Sequence, residues 1–410
     1  MKSEAPALKL IRNQPVLFQE GEAPLGLDEY QAFTSTTDKS ERSGIARVGF
    51  LLLGLFGEVG SVLSELKKKQ RDKDSYVAYR DAVIEELGDS LWYFSSLCRC
   101  TGLQLSTIAQ RITAKLDDWD YAGKSNATTF RHLQADKGEF AGPLSNELFE
   151  RRLLVLAAKV GMLVESFVLG RFDANRDALS AELVEVFRAI VVASDDADVS
   201  LEEAALGNIV KTRSRWPTQR DWGPLYDAEF DPDEQLPRRI EMVLKEKTVG
   251  GRQYVTQQCR GIFIGDRLTD NRVERDDYRF HDVFHLAYAA ILGWSPVQRS
   301  LFKVKRKSDP EIDETQDGAR AILIEEGLAT WIFNHGVQNH YFRSIDSLDY
   351  PLLKAVQALV KGYEVESRPL WQWELAILEG FRVFRLVQEH RGGTVVADLN
   401  ERSITFQPPS

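Results

Sequence analysis

The chain repeats itself. "LFGEVGSVLSEL" (residues 55–66) lines up with "LAAKVGMLVESF" (156–167), and "RDAVIEELGDSLWYF" (80–94) with "RDALSAELVEVFRAI" (176–190). The paired stretches occur in the same order and at similar spacing, and each half closes on a tryptophan, Trp119 and Trp216. Both carry apolar residues at intervals of three and four, the period of an amphipathic helix. Any two such helices share that spacing. The matched RDA, EL and VG pairs in order favour a duplicated unit instead.

Around this duplication the chain divides into five parts. Residues 1–25 form an N-terminal tail, and 26–125 a first repeat that is helical nearly throughout, from "LDEYQAFTSTT" to "LSTIAQRITAKLDDW", where Ser106 is an N-cap candidate. Residues 126–145 are polar, contain Gly and Pro, lack periodicity and read as a linker; 146–220 are the second, more diverged repeat. After Trp216 the composition changes: "PTQRDWGPLYDAEFDPDEQLP" is a connector, and 221–410 mixes long helices with strands in "RQYVTQQCRGIFIG" and a closing "GTVVADLNERSITF" hairpin. The expected fold is mainly α: two tandem helical bundles followed by a helix-rich α+β C-terminal domain.

A formal net charge of −10 argues against a general nucleic-acid binder. The three cysteines, Cys98, Cys100 and Cys259, include no C-x-x-C pair, so neither a disulfide framework nor a zinc knuckle is indicated, and the cytoplasm is the expected compartment. "VGFLLLGLFGEVG" is interrupted by Gly54, Gly57 and Glu58 too early to span a bilayer, and no membrane partner is expected.

Glu86 and Asp89 lie three apart in "AVIEELGDSLWYF", on one face of a helix otherwise built from Val83, Leu87 and Leu91. Two acids on one face repel, and burying them requires a compensating cation. Glu58 occupies a comparable place on the preceding helix, so two helices side by side would bring Glu58, Glu86 and Asp89 together, an all-oxygen set suited to Mg²⁺ or Mn²⁺. The plainer reading is a solvated acidic stripe neighboured by Lys67, Lys68 and Lys69.

In the order "LDEYQAFTSTT", "LGLFGEVGSVLSELKKK", "AVIEELGDSLWYF", "LSTIAQRITAKL", residues 28–120 resemble the MazG-type, all-α nucleoside triphosphate pyrophosphohydrolases. That family's signature is a Glu-x-x-Glu pair on one helix and a Glu-x-x-Asp pair on the next. Glu86 and Asp89 match the second pair; Glu58 matches half of the first, and Ser61 stands where its second acid would be. Glu65, one turn on, is a candidate substitute. Of an Asn-x-x-Lys on the late helix, Ile112 to Lys115 keeps only the lysine, whereas the second repeat keeps both as Asn208 and Lys211. There Glu182 and Glu185 match Glu86 and Asp89, but Lys159 replaces Glu58, which opposes metal binding. The resemblance implies hydrolysis of a nucleoside triphosphate to monophosphate and pyrophosphate, with the cation held by Glu58, Glu86 and Asp89. It implies charge compensation by Lys69, Lys115 and Lys211, and a fused pair acting as an intramolecular pseudo-dimer or assembling into a homo-oligomer. Beside the motif, Glu85 is a candidate general base or an ordinary solvated acid, and Trp92 a stacking platform or core.

The C-terminal part carries its own candidates. His281 and His285 lie at i and i+4 in "DDYRFHDVFHLAYAAILGW", and the next long helix brings Glu325 and Glu326. The set is either a three-ligand transition-metal site or two core histidines hydrogen-bonded to Asp282 or Glu326. Lys303, Lys305, Arg306 and Lys307 cluster in "LFKVKRKSDPEIDE" as a phosphate-binding loop or a solvated charge run. Three functions are therefore carried forward: a Mg²⁺-dependent nucleotide pyrophosphohydrolase, a nucleotide sensor that has lost turnover, and a metal-dependent hydrolase housed in the C-terminal domain.

Overall fold

The computed structural model describes residues 23–113, 128–134, 146–172 and 176–409. They divide into two compact units, one ending at Thr218 and the other starting at Gln219.

The first unit is helical: α1 (Leu27–Thr36), α2 (Gly44–Asp72), α3 (Tyr79–Cys100), α4 (Leu105–Thr113), α5 (Asn146–Val168), α6 (Arg176–Asp196) and α7 (Leu201–Arg215). Leu51, Leu55, Val59 and Val62 recur every three or four residues along α2 and are buried. They pack against α3, which runs the opposite way, and against α5. A side chain at Gly54 would have its Cβ 2.1 Å from the Tyr93 ring, so this glycine sets how closely α2 and α3 approach. The two halves exchange their last helices: α4 packs on α6, and α7 on α3. One hydrophobic cluster consequently runs through both repeats, from Leu55 and Leu91 to Leu156, Leu183 and Phe187. Phe94 of α3 stacks on Phe187 of α6 at 5.0 Å between ring centres, a geometry that adds about 0.5–1.5 kcal/mol beyond the area buried. By length and composition α2 could cross a membrane; Leu51, Leu55, Val59 and Val62 are buried against neighbouring helices, while Ile45, Leu53 and Phe56 are exposed.

Two local expectations are corrected by long-range contacts. α4 starts at Leu105, so Ser106 lies inside its first turn; the caps come from α1, with Gln31 Oε1 accepting from the Leu105 amide at 3.1 Å and Asp28 from the Ser106 amide at 3.1 Å and its hydroxyl at 2.7 Å. Within the polar stretch read as linker, Phe130 is fully buried with its ring edge-on to Tyr30, and Thr129 bridges to Gly26. At α7 the cap is local: the Ser200 hydroxyl accepts from the Glu203 amide.

The second unit holds an antiparallel sheet of β1 (Arg239–Val249), β2 (Arg252–Cys259), β3 (Ile262–Leu268), β4 (Gly392–Asp398) and β5 (Ser403–Gln407), in the order β3-β2-β1-β4-β5. The two outer hairpins are the ones the strand patterning predicts. The central β1, with Ile240, Met242 and Leu244 facing inward, joins them by pairing with β4 across some 150 intervening residues. Between β3 and β4 come α8 (Asp282–Ala287), α9 (Pro296–Phe302), α10 (Pro310–Thr315), α11 (Ala319–Gln338), α12 (Tyr350–Leu359) and α13 (Leu370–His390), with a π-helical turn at Tyr288–Leu292 directly after α8. α13 packs on α8 and on both closing strands, around Phe284, Phe333, Trp373, Phe381 and Phe384. The protein is mainly α, with its sheet confined to the C-terminal unit.

Candidate functional site

Glu58 projects from the middle of α2, and Glu86 and Asp89 from consecutive turns of α3. Each offers a carboxylate oxygen, and these atoms lie within 4.8 Å of one another. Burial, then the neighbouring Glu58 carboxyl, pushes Glu86 up to about 8. Glu58 is raised by burial and by Asp89, and Asp89 by burial against the opposing pull of Lys211. Three half-buried acids thus share one spot with less positive charge than they need, and an oxygen-only set of this kind suits a hard cation such as Mg²⁺ or Mn²⁺.

The second repeat completes the cluster. Asn208 Nδ2 of α7 donates to Asp89 Oδ1 at 2.9 Å, and the Lys211 ammonium donates to Asp89 Oδ2 and to Glu85 Oε1, the latter at 3.2 Å. The Tyr30 hydroxyl lies 3.1 Å from Asn208 Oδ1, which fixes the amide with its nitrogen toward Asp89. α7 comes this close because residue 88 is glycine: a Cβ there would stand 2.6 Å from the Ala204 carbonyl oxygen. The Asn-x-x-Lys of repeat two therefore serves the acids of repeat one. Tyr30 was not foreseen, since only the folded bundle brings α1 to α7.

The corresponding place in repeat two is neutralised from within. Lys159 lies 3.5 Å from Glu185, Arg188 pairs with the same carboxylate at 3.0 Å, and Glu182 accepts from Ser166 at 2.8 Å.

Other candidates are placed elsewhere. Lys69 lies eleven residues past Glu58, about 16 Å along the helix, and its ammonium caps α2 by donating to the Lys73 carbonyl at 3.0 Å; its expected role at the phosphates is not supported. The Glu65 carboxylate accepts from Tyr76 and Lys68, so it does not replace the acid missing at Ser61. Trp92 donates to Thr37 Oγ1 at 2.8 Å and packs edge-on to Tyr93. Lys115 lies outside the described residues, as does Trp119.

In the C-terminal unit, His281, His285 and Glu326 converge, with ligand atoms within 4.8 Å of one another. Glu325, grouped with them on spacing, faces the opposite side of His285: its Oε1 takes the Nδ1 atom at 2.8 Å. The basic loop is divided by burial. Arg306 is 1% exposed and forks onto Asp317 and Glu364 at 2.7 and 2.8 Å, which corrects its reading as a phosphate ligand, because both N–H edges of the guanidinium are occupied by internal acids. Lys303 and Lys307 remain at the surface, and Lys305 is half-buried.

Comparison with known proteins agrees with this architecture. Residues 49–120 match the MazG nucleotide pyrophosphohydrolase domain, and 221–410 match the MazG C-terminal domain. The Gene 37 protein of Mycobacterium phage L5 is 35% identical over 96 residues, covering 22% of this chain and 84% of that protein. No solved structure matches. The acid pair carried by α3, the partner acid on α2 and both domain matches place the chain in the MazG nucleotide pyrophosphohydrolase family.

Proposed function

We propose that the helical unit hydrolyses a nucleoside or deoxynucleoside triphosphate to its monophosphate and pyrophosphate, using Mg²⁺ or Mn²⁺ held by Glu58, Glu86 and Asp89. The observation that carries this reading is the convergence of three carboxylates whose burial calls for a cation. When bound, the ion would supply charge for the phosphate chain and acidify a nucleophilic water. Water attacks the α-phosphorus and gives up its proton to bulk solvent, the bond to the bridging α–β oxygen breaks, and pyrophosphate leaves.

The chain's own groups hold the cluster in place. Asn208 and Lys211 position Asp89, and Tyr30 orients Asn208. Glu85, whose oxygen is engaged by Lys211, anchors that ammonium; a carboxylate so paired is a poor proton acceptor, and we assign it this role in place of general base. Ser61 restricts the set to three acids, enough for one ion. The exchange of α4 and α7 between the halves supports an intramolecular pseudo-dimer in which repeat two supplies positioning groups.

Incubation with Mg²⁺ and each nucleoside triphosphate, with pyrophosphate release as the readout, tests the proposal. Turnover lost in Glu86→Gln is the expected result, and unchanged nucleotide throughout would overturn it. The second reading, a sensor without turnover, is favoured by Ser61 and predicts binding of a triphosphate with no product.

A further inference from the structure

The histidine cluster of the C-terminal unit plays no part in the reaction above, and its geometry is that of a prepared metal site. His281 Nδ1 lies 2.9 Å from the Tyr278 carbonyl oxygen, which can only accept, so Nδ1 carries the proton. His285 Nδ1 is likewise turned to the Glu325 carboxylate at 2.8 Å. That carboxylate is itself fixed by the Ser295 hydroxyl at 2.7 Å and the Val297 amide at 2.8 Å. In the neutral rings this leaves the Nε2 lone pairs for a metal, and both Nε2 atoms face one oxygen, Glu326 Oε2, at 3.7 Å from His281 and 3.4 Å from His285. Ligand atoms 2.0–2.1 Å from one ion stand about 2.9–3.4 Å apart, so the two distances to Glu326 need only a small contraction.

A second observation points the same way. His285 is fully buried, and its Nε2, aimed at this spot, makes no hydrogen bond of good geometry among the described residues, Glu326 lying 3.4 Å away. Neighbouring groups are held to match: Asp282 Oδ1 flanks His281 Nε2 at 3.2 Å, while its other oxygen accepts from Gln257. Outer partners on the distal ring nitrogens are the usual means of orienting metal-bound imidazoles. The Glu326 side chain is 40% exposed, so solvent reaches the cluster from its side.

We propose that His281, His285 and Glu326 bind one divalent transition-metal ion, of the zinc, manganese or iron class, with at least one coordination position open to solvent. Two imidazoles and one carboxylate favour such ions over Mg²⁺ or Ca²⁺. The competing arrangement is an ion pair, with a doubly protonated His285 held between Glu325 and Glu326 and no metal.

The full-length chain, stripped by chelator, is titrated with Co²⁺ and with Zn²⁺, following visible Co²⁺ absorption and bound-metal stoichiometry. One equivalent with the absorption of a nitrogen-containing site is expected and should persist in Glu86→Gln, while any further equivalent held by the helical carboxylates should be lost in that variant. Glu326→Gln, on the exposed edge, should weaken binding at least tenfold while leaving metal-free thermal unfolding in place; His281→Asn should do the same. Failure to bind either ion, or equal affinity in Glu326→Gln and His281→Asn, would overturn the proposal. The outcome is independent of nucleotide turnover.

Discussion

Asn208 and Asp89 stand 119 positions apart and are joined by a 2.9 Å hydrogen bond from the amide nitrogen to the carboxylate. The bond crosses from one copy of the duplicated unit to the other. Asn208→Ala should lower apparent Mg²⁺ affinity by about 10–100-fold, the usual effect of removing a group that orients a metal-binding carboxylate. Turnover measured against Mg²⁺ concentration checks this, with saturating metal recovering part of the activity in Asn208→Ala.

The raised Glu86 carboxyl makes stability depend on pH in an uncommon direction. Between its ordinary value near 4.5 and about 8, the folded state keeps a proton that the unfolded chain has released. Stability of the metal-free protein therefore falls as pH rises through that window. Mg²⁺ displaces the proton, so its apparent affinity should rise toward pH 8 and then level. Thermal melts from pH 5 to 8.5, with and without Mg²⁺, report both effects, and Glu86→Gln should flatten the metal-free slope.

The two repeats should respond unequally to the same substitution. Glu185 is paired with Lys159 and Arg188, so Glu185→Gln should leave pyrophosphate release within about twofold of the parent. Asp89→Asn, at the matching position, should remove it. Comparable losses in both would mean that repeat two also houses a working site.

Gly88 tests the approach of α7 to α3. A methyl group there meets the Ala204 carbonyl oxygen at 2.6 Å, which is backbone and cannot swing aside. Gly88→Ala should cost about 1–3 kcal/mol in unfolding free energy and lower activity beyond that loss, because Asn208 and Lys211 move away from Asp89. Denaturant midpoints and kcat/KM on the same preparations separate the two.

Arg306→Ala should unfold the C-terminal unit more readily, by about 3–5 kcal/mol, the cost of stranding buried partner acids, since Asp317 is fully buried. Lys303→Ala and Lys307→Ala, at the surface, should change stability by less than about 0.5 kcal/mol. Melting temperatures of the three variants give the comparison.

Much of this was legible locally. The helical period of α2 and α3, the i, i+3 placement of Glu86 and Asp89, the i, i+4 placement of His281 and His285, and the two outer hairpins all follow from residues near one another in the chain, where helix and strand geometry alone decides which side chains share a face. Tertiary structure decided the rest. Contacts between distant segments set α7 against α3, inserted β1 between the hairpins, turned Ser106 from a cap into a capped residue and buried Arg306 among acids. These depend on which apolar faces find each other in the folded state, and no spacing within a single segment encodes that choice.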